Sequence, residues 1–112
     1  MPGAAAQLAR LRKACATLPQ FEEKISHGAP SFFGPRCCFA MFLDNHHNDG
    51  RLAAWLAAAP GAQQQMIAEA PETYFYPPYV GCRGWIGVEL GRVGDAELAE
   101  LVRAAWNWIA RK

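Results

Sequence analysis

The side chains of a type that could hold a metal or attack an electrophile are His27, Cys37, Cys38, His46, His47 and Cys82. A structural zinc site needs converging donors, and its usual mark is a pair spaced C-x₂₋₄-C that brings two ligands onto one ion. No such pair occurs. Cys37 and Cys38 are adjacent, which on a strand turns them to opposite faces, and His46-His47 fall in a polar loop. A nucleophilic thiol needs a base or a positive field to ionise, and Cys82 beside Arg83 has the second, with His27 the available base. None of the known local signatures of a catalytic cysteine surrounds it. The run Gly81-Cys82-Arg83-Gly84 matches neither the phosphate loop nor the dinucleotide fingerprint. Glu22-Glu23 alternate across a strand, and Glu97 and Glu100 lie on a solvated helix face, so no acid–base dyad is formed. The expectation is a protein without catalytic residues, metal or cofactor.

A more distinctive group is aromatic: Tyr74, Phe75, Tyr76, Tyr79 and Trp85, punctuated by Arg83. Alternate members of such a run fill a core, while the rest cap its edge. Arg83 differs, because its place between glycines projects it from an open turn. A small-ligand pocket beneath the 79–85 turn would have His27 and Arg83 at its mouth and Tyr79 and Trp85 as flat walls. For phosphates, the candidate cations are Lys24, Arg36, Arg51 and Arg83, provided that the fold gathers them on one side of the sheet. Eleven Lys/Arg against ten Asp/Glu give a net charge of +1, so only a local patch could hold nucleic acid.

These residues must be positioned by a short series of elements. Leu8, Leu11, Cys15 and Leu18 recur at helical spacing, and the helix ends near Leu18-Pro19, since proline disfavours helical geometry in the residue before it. Residues 22–26 read as a strand, and His27-Gly28-Ala29-Pro30 as a turn. The apolar runs 38–43 (CFAMFL) and 51–56 (RLAAWL) flank a loop ending in Asp49-Gly50 and read as an antiparallel hairpin. A short helix over 62–70 carries Met66 and Ile67 on one side and stops before Pro71. Strands follow over 74–76 and 85–90. The last helix opens with Asp95 as N-cap, buries Leu98, Leu101, Val102, Ala105 and Ile109, and ends at Arg111-Lys112. This order predicts an α+β fold: a mostly antiparallel sheet packed by N-terminal, middle and C-terminal helices.

With 52% hydrophobic residues, residues 1–112 form one domain with an ample core. The N-terminus is interrupted by Arg10, Arg12 and Lys13, and no apolar run approaches the ~18 residues of a membrane span. The chain therefore reads as soluble and cytoplasmic, with reduced and mostly buried thiols.

Several segments together resemble the MmcQ/YjbR family of small bacterial proteins. Glu22-Glu23-Lys24-Ile25-Ser26-His27-Gly28 with Pro30-Ser31-Phe32 resembles its opening strand and turn, and Gly50-Arg51-Leu52-Ala53 its return strand. The most specific segment is Pro78-Tyr79-Val80-Gly81 with Arg83-Gly84-Trp85, close to the family's PPYVG-x-RGW signature. The resemblance implies a compact α+β domain similar to secretion chaperones, and a DNA-binding role through Lys24, Arg36, Arg51 and Arg83. Two other roles stand beside it: a protein-interaction or chaperone-like adaptor with a protein partner or a second copy, for which exposed Trp55, Trp106 or Trp108 would speak, and a binding domain for a small anionic ligand.

Overall fold

Polar and apolar residues alternate poorly along most of this chain, so what organises it is a central sheet whose two faces are both clothed. The computed structural model describes residues 3–111, without the side chain of His47; Met1, Pro2 and Lys112, the last expected at the end of the final helix, lie outside the described residues. The strands are β1 (Glu22–Ser26), β2 (Ala29–Phe33), β3 (Cys38–Asp44), β4 (Leu52–Leu56), β5 (Tyr74–Phe75) and β6 (Ile86–Glu89). They form one six-stranded sheet in the order β1-β2-β3-β4-β6-β5, every neighbouring pair antiparallel. The helices are α1 (Ala4–Cys15), α2 (Ala62–Glu69) and α3 (Asp95–Ala110). The expected α+β architecture and the 38–43/51–56 hairpin are both present.

β2 is absent from the sequence reading. His27-Gly28-Ala29-Pro30 reads as a turn, yet only His27 and Gly28 turn, with φ of 54° and 78°. Two consecutive positive φ values make a two-residue hairpin turn, which lets β2 begin at once. Pro30 is tolerated because the β2–β3 ladder begins one residue later, at Ser31↔Met41.

Register assigns the two faces. Phe32, Ala40, Leu56 and Ile86 form one cross-strand row, and Phe42, Ala54, Val88 and Tyr74 are on the same side. This is the helix face: the Tyr74 hydroxyl donates to Glu97 of α3, and Glu23 accepts from Arg12 of α1. Burial followed by the Glu97 contact pushes the Tyr74 phenol up to about 12. Leu11, Cys15, Leu98, Val102 and Ile109 complete this core; burial likewise pushes the Cys15 thiol up to about 12.

The helix ends are tied differently from the expectation. Gly94, not Asp95, is the N-cap of α3. Asp95 is the first helical residue, and its carboxylate accepts from Arg10 Nε at 2.6 Å. The same guanidinium donates to the Leu90 and Val93 carbonyls and the Gln7 amide oxygen, so one α1 side chain fastens the whole segment leading into α3. That contact holds the Asp95 carboxyl below its ordinary range.

Candidate functional site

Among the described residues, the opposite face of the sheet carries no long helix. Lys24, Ser31, Met41, Trp55, Gly87 and Phe75 form its cross-strand row. At the β5 end the row is closed: the Phe75 ring lies across Gly87, where a Cβ would come within 2.4 Å of it. The Arg51 guanidinium stacks on that ring at 4.0 Å and pairs with Glu89. Further along, the face is covered by the segment between β5 and β6, and between segment and sheet lies a cavity of about 700 Å³. Phe33, Met41, Leu43 and Trp55 form its floor, while Tyr79, Val80, Arg83 and Trp85 come from the covering segment.

That segment is held by contacts invisible in the sequence. The Val80 N–H donates to the Pro78 carbonyl at 2.6 Å across Tyr79, whose φ is 64°. This is the strained, positive-φ form of the three-residue γ-turn, rare for a bulky residue. It leaves the Tyr79 ring 68% exposed at the rim. A 3₁₀ turn over Gly81–Arg83 follows, with Gly81 pressed on the Tyr76 ring, where a Cβ would approach to 2.5 Å. From α2, the buried Gln63 amide donates to the Gly81 and Trp85 carbonyls at 2.9 and 2.6 Å. The exposed Cys82 thiol donates to the Tyr79 carbonyl at 3.2 Å. Glutamine at 63 follows no pattern that sequence periodicity detects.

Four sequence-predicted site residues come together: His27, Tyr79, Arg83 and Trp85 all line this cavity. The Arg83 guanidinium lies 5.7 Å from the Trp85 ring centre and makes no ion pair or hydrogen bond among the described residues. Neither Glu23 nor Glu89 reaches it; they hold Arg12 and Arg51. The other cations are dispersed. Lys24 shares the face but lies 5.1 Å over the Phe33 ring with Glu22 at 3.5 Å. Arg36 is exposed in the loop between β2 and β3, and Arg51 is committed to Glu89.

Two expectations about the thiols and histidines are corrected. Cys37 precedes β3 rather than alternating within it, so both Cys37 and Cys38 line the cavity. Of the four free cysteines only Cys15 is buried. Burial raises the Cys38 thiol above its ordinary value, with nearby Arg83 opposing that shift. His46 is no loop residue in solvent: it sits in a 3₁₀ turn over His46–Asn48, edge-on to Trp55 at 5.0 Å and to Tyr79 at 6.0 Å. The indole N–H of Trp55 is buried without an acceptor among the described residues. Trp55 is 2% exposed, and Trp106 and Trp108 are half-buried, so none offers the exposed indole that an adaptor would use.

Among the described residues no group of three His, Cys, Asp or Glu side chains is placed to hold a metal ion, and no helix is long and apolar enough to cross a membrane. Among the described residues the cavity is an apolar, largely aromatic chamber with one cation outside any ion pair at its mouth and no carboxylate in its wall.

The YjbR family model matches residues 16–108 of the chain. Among solved structures, the chain resembles the crystal structure of Deinococcus radiodurans protein DR2400, which carries a DUF419 domain. The TM-score is 0.75 at 20% identity, over 94% of this chain and 79% of that one, a likeness of fold. None of the curated proteins matches.

Proposed function

We propose that this chain, which belongs to the YjbR family, is a non-enzymatic binding protein that holds a small anionic ligand in the cavity beneath the 79–85 turn. One observation carries the reading. Among the described residues, Arg83 has no ion-pair partner at the mouth of an apolar chamber whose lining has no Asp or Glu. An arginine without a carboxylate partner is a ready donor for an anion, and apolar walls strengthen that contact by excluding water. The size suits a small molecule, since ligand sites commonly span about 300–1,000 Å³.

Nucleic-acid binding is the second reading, favoured by Lys24 and Arg51 lying on the same sheet face as Arg83. On that reading Arg51 must exchange Glu89 for a phosphate, and Lys24 must leave Glu22. The two readings separate in one experiment, titrating the protein and its Arg83→Met variant with small organic anions and with duplex and single-stranded oligonucleotides over a salt series. The cavity reading predicts Arg83-dependent binding of a small anion, with oligonucleotide affinity that Arg83→Met does not alter. Oligonucleotide binding whose log–log salt slope falls by about one unit in Arg83→Met would replace it with the nucleic-acid reading.

A further inference from the structure

The walls of the cavity say more about its occupant than the charge of Arg83 does. Flat side chains dominate: Trp55 and Phe33 rise from the sheet, Trp85 and Tyr79 descend from the covering turn, and His46 stands edge-on between Trp55 and Tyr79. The aliphatic remainder is Met41, Leu43 and Val80. Rings in such a setting favour another ring, through offset stacking or edge-to-face contact, over a saturated group of equal size. The strained γ-turn at Tyr79 points the same way. Strain at a bulky residue persists only where the surroundings over-determine it, and here it holds an exposed aromatic ring at the cavity rim.

The charge count limits the anion. Among the described residues Arg83 is the only Lys or Arg in the lining, so one negative charge is matched there and a second would enter an apolar chamber without a partner. The guanidinium fork fits a carboxylate edge in two parallel hydrogen bonds.

From these observations we infer that the cavity takes a planar aromatic monocarboxylate, its ring against Phe33 and Tyr79, the lining aromatics with accessible faces, and its carboxylate on Arg83. This inference rests on the reading that the cavity is the ligand site. Two thiols in the lining, Cys37 and Cys38, supply an internal reporter, because an occupant shields them from a thiol reagent while the exposed Cys82 stays reactive.

The test uses 2-naphthoate and three relatives: naphthalene-2-methanol, which keeps the ring without the charge; decahydro-2-naphthoate, which keeps the charge without the flat face; and inorganic phosphate. Affinities come from calorimetric titration of the wild type, Arg83→Met and Arg83→Lys, with shielding of Cys37 and Cys38 read by peptide mass after brief alkylation. Melting temperatures confirm that the variants fold. The expected result is binding of 2-naphthoate about tenfold or more tighter than each relative, lost about tenfold in Arg83→Met and largely kept in Arg83→Lys, with both thiols shielded. If decahydro-2-naphthoate or phosphate binds as tightly as 2-naphthoate and still depends on Arg83, the aromatic class is overturned while the cavity reading stands. If no anion binds in an Arg83-dependent way, or the alcohol binds as well as the acid, both are overturned.

Discussion

Gln63 is the side chain through which α2 sets the position of Arg83, and replacing it with methionine tests that role with little change in volume. Its amide is buried and donates to two carbonyls, those of Gly81 and Trp85. The two losses are unequal. The Gly81 carbonyl retains the Gly84 N–H at 3.0 Å, so there only a net hydrogen bond of about 1 kcal/mol disappears. The Trp85 carbonyl loses its donor inside the protein, at about 1–3 kcal/mol. Methionine recovers part of this, because an apolar side chain no longer has to be stripped of water when buried. A loss of about 2 kcal/mol results, which in a domain of this size lowers the melting temperature by about 8 °C. Calorimetry of Gln63→Met beside the exposed control Gln64→Met measures it, the control staying within about 0.5 kcal/mol. Affinity for the anion should fall in Gln63→Met although Gln63 does not line the cavity beneath the 79–85 turn, since the turn that carries Arg83 is freed. Equal melting temperatures for Gln63→Met and Gln64→Met, with anion binding unchanged, would refute the claim that this amide braces the site.

Alkylation of the native protein should modify the exposed Cys82 first and the half-buried Cys37 and Cys38 more slowly. Cys15, fully buried with its thiol pushed up to about 12, should react only on unfolding, which time-resolved peptide mapping checks. The Tyr74 phenol is raised to about 12, above its unfolded value of about 10, so the unfolded chain releases that proton first. Its contribution to stability is complete below about pH 10 and declines as the pH climbs toward about 12; Tyr74→Phe should flatten that alkaline decline in denaturant titrations. Gly81→Ala should destabilise the protein markedly, because the new methyl would come within 2.5 Å of the Tyr76 ring, and pairing it with Tyr76→Ala in a double-mutant cycle should restore part of the loss.

Much of the fold was legible because it rests on local rules. The hairpin of β3 and β4 announces itself through two apolar runs and a glycine whose φ of 72° suits the turn. α3 shows its stripe at Leu98, Val102, Ala105 and Ile109, although Leu101 proves only half-buried. β2 was hidden because Pro30 argues against a strand, and only the register excuses it. The site was legible in part: His27, Tyr79, Arg83 and Trp85 stand close in kind and, except His27, in sequence. Its floor was not. Met41 and Trp55 look like ordinary core residues, and which sheet face α1 and α3 cover is decided by long-range packing that no local pattern records. The same holds for Gln63 and Arg10, polar side chains whose partners lie far along the chain. Net charge records none of this, since Arg51 and Glu89 cancel locally whereas Arg83 forms no ion pair among the described residues.

The chain's four tryptophans allow the central claim to be read in a single spectrum, because two of them line the cavity and two do not. In ¹⁵N-labelled protein each indole N–H gives its own resonance. Titrating with 2-naphthoate should shift those of Trp55 and Trp85 and the backbone amide of Arg83, in step and to saturation. Trp106, whose indole donates to the Gln20 carbonyl, and Trp108 should stay in place. Saturable shifts confined to Trp106, Trp108 or the loop of Arg36, with Trp55 and Trp85 unmoved, would contradict the assignment of this cavity as the ligand site.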